Sequence, residues 1–240
     1  MRAREYSPGL AIQGFTPPLR LQDFKLIAFD MDSTLINIEC IDEIAAAVGR
    51  KTQVAAITEA AMRGEISDYK TSLRQRVALL EGVSVTSMQQ VRDQTMQLNP
   101  GAAQLVQTCQ AAGLKVLLVS GGFTFFTDRV RDKLLIDYTR SNVLEIKDGH
   151  LTGALLEQDW GDICDGEEKR KMLLQTCKLL DITPQQAIAM GDGANDLPMM
   201  LACSHAGGLS VAYHAKPTVR EQAKVAINSG GLDRLLSVLR

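Results

Sequence analysis

Three short apolar runs in this chain each end abruptly on a polar turn, and that pattern constrains the fold more than any other feature. Residues 25–29 run into Asp30-Met31-Asp32-Ser33-Thr34, residues 115–119 into Ser120-Gly121-Gly122-Phe123, and residues 187–190 into Gly191-Asp192-Gly193-Ala194-Asn195-Asp196. A brief unbroken apolar run bounded by turn residues suits a strand buried on both faces. Helical patterns follow the turns, so the units read strand, turn, helix. That alternation predicts an α/β fold: a doubly wound, mostly parallel sheet with helices on both faces. In such sheets sites form beyond the carboxyl ends of the strands. Side chains two apart on an extended chain point the same way, so Asp30 and Asp32 can face one small volume. Two carboxylates so close repel unless a cation or a proton relieves them.

The alternation is interrupted once. Residues 39–48, 52–63, 69–80 and 86–96 carry helical spacing, with Gly49 and Gly64 as stops, and no strand pattern falls among them. A block of helices between the first strand and the later strand–helix units predicts an inserted cap. The expected organisation is therefore a core of residues 23–38 and 98–240 and a helical cap of 39–97. Pro8, Gly9, Gly14, Pro17 and Pro18 predict an extended arm over 1–22. Asp148-Gly149 predicts a hairpin over 142–156, with His150 a solvated residue beside the turn. Residues 209–211 and 225–227 are weaker strand candidates, and 231–239 is read as a closing helix.

Composition removes several classes of function. A chain of 240 residues with 45% hydrophobic content is long enough for a core domain with an insert. A formal net charge of −2 gives no case for a nucleic-acid or anionic-membrane surface. No apolar stretch approaches the ~20 residues that span a bilayer. The start, Met-Arg-Ala-Arg-Glu-Tyr-Ser-Pro, has no apolar run of the kind a signal peptide needs. Cys40, Cys109, Cys164, Cys177 and Cys203 are odd in number, scattered and without a CxxC pair, which predicts reduced thiols in a cytoplasmic protein. His150, His205 and His214 show no zinc-ligand spacing with them.

The strand ends share one chemistry. Asp30, Asp32, Asp192 and Asp196 ask for a hard divalent cation with oxygen ligands, Mg²⁺ above all. Ser120, the Gly121 N–H and Lys169, read as a loop lysine ahead of the third unit, ask for a phosphate. A phosphate dianion near several carboxylates meets repulsion of about 4 kcal/mol per charge pair at ~4 Å and moderate dielectric. Mg²⁺ and Lys169 together bring three positive charges against it. That combination predicts a phosphoryl-transfer site.

These residues carry a resemblance. Asp30-Met31-Asp32-Ser33-Thr34 resembles the DxDxT signature of the haloacid dehalogenase-like hydrolases, Ser120 their second motif, and Lys169 with Gly191-Asp192-Gly193-Ala194-Asn195-Asp196 the third and fourth. The likeness runs from about residue 25 to the C-terminus. It includes the longer strings DMDSTLINIECIDEIA, SLRQRV, VSGGF, KDGHLTG and MGDGANDLPMM. It implies a Rossmann-like core and a Mg²⁺-dependent phosphatase acting on O-phospho-L-serine, the last step of serine biosynthesis. Phosphohomoserine and phosphothreonine stand as alternative substrates. It further implies Asp30 as nucleophile, Asp32 as general acid and base, and a metal held by Asp30, the Asp32 backbone carbonyl and Asp192. Ser120, Gly121 and Lys169 would hold the phosphoryl group, Asn195 would help to place it, and Asp196 would support the metal through water. In the cap, Glu39 would meet the substrate ammonium and Arg76 its carboxylate. The chain departs from the family near Tyr69, where a phenylalanine is usual and one extra residue follows Gly64. Ion pumps of the superfamily are excluded, since they carry Lys where this chain has Met31 and no Asp at position 32. A phospho-accepting receiver module also clusters acids, but lacks a second Asp placed for acid–base work. The expected partner is the small-molecule substrate, with a homodimer as the protein assembly considered.

Overall fold

A computed structural model describes residues 3–240. Its strands are β1 (Arg4–Ser7), β2 (Leu10–Ile12), β3 (Leu26–Phe29), β4 (Lys115–Phe123), β5 (Tyr138–Lys147), β6 (His150–Leu156), β7 (Ala187–Gly191), β8 (Leu209–Tyr213) and β9 (Val225–Ile227). They form one sheet in the order β1-β2-β9-β8-β7-β3-β4-β5-β6. Pairing from β9 across to β5 is parallel, and the two margins are antiparallel. β3 is the pivot of the winding. The chain builds outward from it through β4 to one side, then returns to add β7 on the other.

The apolar runs are strands because both their faces are covered. Ile27 and Phe29 of β3 join Val116, Leu118, Ile188 and Met190 on one face. Leu26 and Ala28 join Leu117, Val119, Ala187 and Ala189 on the other. Every residue of β3, β7 and β8 is buried. Full burial of a Leu, Ile or Phe side chain contributes about 1.5–3 kcal/mol, so these runs are committed to the sheet. The first face packs on α5 (Ala102–Ala111) and α6 (Thr124–Leu134). The second packs on α7 (Gly166–Leu179), α8 (Leu197–His205) and α9 (Pro217–Gln222).

Between β3 and α5 lie α1 (Cys40–Ala47), α2 (Lys51–Met62), α3 (Tyr69–Ala78) and α4 (Val85–Gln90). Backbone bonds hold this helical segment at two places, and ion pairs from Lys70 and Arg74 of α3 to Asp162 tie it at a third. Its entry and exit pair with each other at Ile36 and Leu98, and the Asn99 amide donates to the carbonyls of Thr34 and Ile36, both at 2.8 Å. On the far side, the α3–α4 connection pairs with the β5–β6 hairpin. Gly82 N donates to the Leu151 carbonyl, Leu151 N to that of Val83 and Val85 N to that of Gly149, at 2.8–2.9 Å. The Asp148-Gly149 turn thus serves as a brace, with His150 exposed beside it.

Several local expectations are revised. Residues 4–12, read within an extended arm, fold into a hairpin whose β2 pairs with β9. Pro8-Gly9 is the turn of that hairpin, and Leu10 and Ile12 alternate inward to full burial. The helix expected over 86–96 ends at Gln90 and continues as a wider turn, Val91–Thr95. The closing helix is a 3-10 segment, Leu232–Val238. Ser120 to Phe123, read as a turn, continues β4 through an irregularity in its pairing with β5. Lys169 is not on a loop but in the first turn of α7, whose N-cap Asp165 accepts from Glu168 N at 2.9 Å.

Candidate active site

The carboxyl ends of β3, β4 and β7 open into a cleft of about 590 Å³. Its floor carries Asp30, Asp32, Ser120, Gly121, Asp192 and Asn195, and its roof carries Glu39, Tyr69, Leu73 and Arg76 from the helical segment. Parallel pairing sets the floor. The Asp30 N–H closes the sheet onto the Met190 carbonyl at 2.9 Å, so Asp30 and Asp192 leave adjacent strands side by side.

Three carboxylates, Asp30, Asp192 and Asp196, bring one oxygen each within 4.8 Å of the others. Lys169 lies behind them rather than in the cleft. Its ammonium is fully buried and donates at 2.6 Å to Asp30 Oδ1 and at 2.6 Å to Asp196 Oδ1. Burial works against the charge on Lys169, yet Asp196 and Asp30 hold its pKa well above the usual lysine range. Burial and the charge of Asp196 push Asp30 upward, against the pull of Lys169. Burial, then Asp196 and Glu39, push Asp192 up to about 7. One ammonium among three carboxylates leaves an excess of negative charge in a low-dielectric site. A hard divalent cation would remove it, and the all-oxygen donor set fits Mg²⁺.

Asp32 is placed differently. Its backbone is extended (φ −65°, ψ 132°) and Ser33 turns left-handed (φ 57°), which swings the chain back toward α1. The Asp32 carboxylate accepts from Cys40 N at 3.1 Å and contacts Cys40 Sγ at 3.2 Å. Burial and the negative charge of Glu39 push its pKa up to about 7, against those two hydrogen bonds. Its side chain thus stands apart from the carboxylate trio. Asp196 supplies the cluster's third carboxylate; the sequence reading gives Asp32 a metal role only through its backbone carbonyl and Asp196 one through water.

Asp196 also organises the β7 turn. Its Oδ2 accepts from Asp192 N at 3.1 Å and Gly193 N at 2.9 Å. On β4, the Ser120 hydroxyl oxygen accepts from Gly122 N at 2.9 Å, which leaves its proton for an anion in the cleft. The Gly121 carbonyl is tied to Asn142 Nδ2 at 2.7 Å. Glu39 Oε1 accepts from Ser33 Oγ at 2.6 Å. Among the described residues Arg76 has no carboxylate partner; its one bond is from Nε to the Ser72 carbonyl at 3.4 Å.

The structure brings Asp30, Asp32, Glu39, Arg76, Ser120, Gly121, Asp192 and Asn195 to one cleft, with Lys169 and Asp196 directly behind. Lys216, which the sequence reading does not single out, also lines it. It follows β8 and precedes Pro217, where a lysine reads as an ordinary helix start. Trp160 does not line the cleft; its ring packs under the Arg140 guanidinium, 5.2 Å from the centroid. The five cysteines are free and buried.

Residues 24–203 match the haloacid dehalogenase-like hydrolase family. The chain is 74% identical over all 240 residues to the full length of a phosphoserine phosphatase of Polaromonas sp.. It is 71% identical, again over both full lengths, to a phosphoserine phosphatase of Albidiferax ferrireducens. A solved structure of a phospho-aspartyl intermediate analogue of phosphoserine phosphatase superimposes with a TM-score of 0.80 at 35% identity, covering 90% of this chain and 99% of that one. The fold, the strand-end acids and these likenesses agree, and the chain belongs to the haloacid dehalogenase-like hydrolase family.

Proposed function

We propose that this protein hydrolyses O-phospho-L-serine to L-serine and inorganic phosphate, the last step of serine biosynthesis, by way of a phosphoryl group carried on Asp30. The observation that carries the reading is the single cleft holding phosphoryl-transfer acids on its floor and a Glu–Arg pair in its roof. Residues 23–38 and 98–240 act as the core, and 39–97 as a cap over it.

Lys169 fixes one oxygen of Asp30 and leaves the other to attack phosphorus. As the bond to the serine oxygen breaks, Asp32 gives that oxygen a proton. An Asp32 carboxyl held near 7 by burial and Glu39 is protonated often enough at neutral pH to do so. The resulting Asp32 carboxylate then takes a proton from the water that attacks the phosphorus of aspartyl-phosphate. Phosphate leaves and both acids return to their starting states. Ser120 Oγ and the Gly121 N–H donate to the phosphoryl oxygens, and Asn195 helps to position them. Asp30, Asp192 and Asp196 with the Asp32 carbonyl would hold Mg²⁺, which would supply positive charge against the phosphate and the carboxylates. Arg76 reads the substrate carboxylate with its fork of N–H donors, and Glu39 reads the ammonium. A sugar phosphate offers neither group.

Phosphate release from a panel of phosphomonoesters, with Mg²⁺ or with a chelator, tests this. Phosphoserine leads clearly in kcat/KM, and the chelator stops turnover. A flat profile, or one led by phosphothreonine or phosphohomoserine, would assign the cleft to another small phosphate.

A further inference from the structure

Tyr69 is among the polar residues of the cleft that have no task in the mechanism above. It is the first residue of α3 and reaches down from the roof to the β4 turn. Its hydroxyl lies against Gly121, so close that a Cβ built on that glycine would sit 2.2 Å from the phenolic oxygen. Among the described residues no protein group hydrogen-bonds to this hydroxyl, and since no fully buried side-chain oxygen there lacks a partner, the hydroxyl keeps some access to the cleft. Desolvation keeps the phenol far above its usual pKa, so it remains a neutral O–H donor at any working pH. A partly buried phenol normally finds a partner, because leaving its O–H unsatisfied is costly. Tyr69 lines the same cleft as Ser120, Gly121 and Asp30.

We infer that the Tyr69 hydroxyl donates a hydrogen bond to a phosphoryl oxygen in the closed cleft, making α3 a two-ended reader of the substrate. The inference rests on the phosphatase reading of this site. Tyr69, Ser72, Leu73 and Arg76 all line the cleft and stand at i, i+3, i+4 and i+7, one stripe of one helix. Arg76 serves the carboxylate end of the bound molecule and Tyr69 the phosphoryl end. The floor donors Ser120 and Gly121 belong to the core, whereas Tyr69 belongs to the segment above it. A phosphoryl group therefore ties the two layers together, which inorganic phosphate and aspartyl-phosphate also do, and L-serine does not.

The test uses the Mg²⁺-loaded protein and Tyr69→Phe, with p-nitrophenyl phosphate as reporter substrate. The hydroxyl has no hydrogen-bond partner among the described residues, so the variant keeps the wild-type melting temperature. The inhibition constant of inorganic phosphate rises by about tenfold, the size of one hydrogen bond to a charged group. Dissociation of L-serine, measured by calorimetry on both proteins, changes by less than twofold. An unchanged phosphate constant would overturn the inference. Equal losses for phosphate and L-serine would also overturn it, because the hydroxyl would then be shaping the roof rather than touching phosphoryl oxygen. Wild-type turnover of phosphoserine is measured in parallel. If that is absent, the substrate assignment fails, while the phosphate measurement still decides the role of Tyr69.

Discussion

Lys169 shows how much one buried side chain carries. It is wholly enclosed and pairs with two of the three clustered carboxylates, Asp30 and Asp196. Lys169→Met leaves Asp30 and Asp196 without their counter-charge, and breaking a buried pair from one side costs about 3–5 kcal/mol. The expected outcome is a lower melting temperature without metal and a larger rise on adding Mg²⁺ than in the wild type, read by thermal denaturation. The divalent ion takes over charge that the lysine supplied. At Asp32 the quantity to measure is a pH limb. The acid must be protonated, its pKa is raised, and so kcat/KM falls as pH climbs through that value. Burial raises it first and the Glu39 charge second. Glu39→Gln removes the second cause, lowers the pKa and moves the falling limb to lower pH. The cation acts on both proteins alike, so the sign of this difference stands; a limb that moves upward would remove Asp32 from the acid role.

At the scale of elements, the end of β7 has no room to spare. A Cβ on Gly191 would lie 2.4 Å from the Asp196 carboxylate carbon and 2.5 Å from its Cβ. Asp196 cannot yield freely, since it is fully buried, holds Lys169 and accepts from two backbone N–H groups. Gly191→Ala is expected to cost about 1–3 kcal/mol, in the range of other overpacked cores, and to weaken Mg²⁺ activation. Denaturant melts and a Mg²⁺ titration of activity check both. A melt like the wild type would show that the turn adjusts around the methyl. The α7 N-cap matters for the same cluster, because Asp165 fixes the first turn that carries Lys169.

The whole molecule divides its labour between two layers. On the proposed reading the core holds the phosphoryl chemistry, and the helical segment above the cleft holds the groups that choose a substrate. That segment is fastened at the Ile36–Leu98 stalk and again at the β5–β6 hairpin. Arg76→Ala should therefore lower kcat/KM for phosphoserine by about a hundredfold, the weight of a lost charged hydrogen-bond pair, and largely spare p-nitrophenyl phosphate. Equal losses on both substrates would make Arg76 a structural residue.

The sequence alone determined the three central strands, because unbroken apolar runs have nowhere to go but a sheet covered on both faces. It also determined which strand ends carry acids and hydroxyls, and through its longer strings the family. Apolar spacings of three and four residues were enough to mark the helices between β3 and α5. What the chain could not reveal was direction and depth. Only the tertiary structure turned Pro8-Gly9 into a hairpin, since Leu10 and Ile12 need β9 to bury them. Only it sank Lys169 behind Asp30, turned the Asp32 side chain to Cys40 and put the Asp196 carboxylate beside those of Asp30 and Asp192. Strand pattern and turn chemistry are local and legible residue by residue. The company a side chain keeps across 139 residues of chain, as Lys169 and Asp30 do, is fixed by strand order and by which charges the buried site can balance.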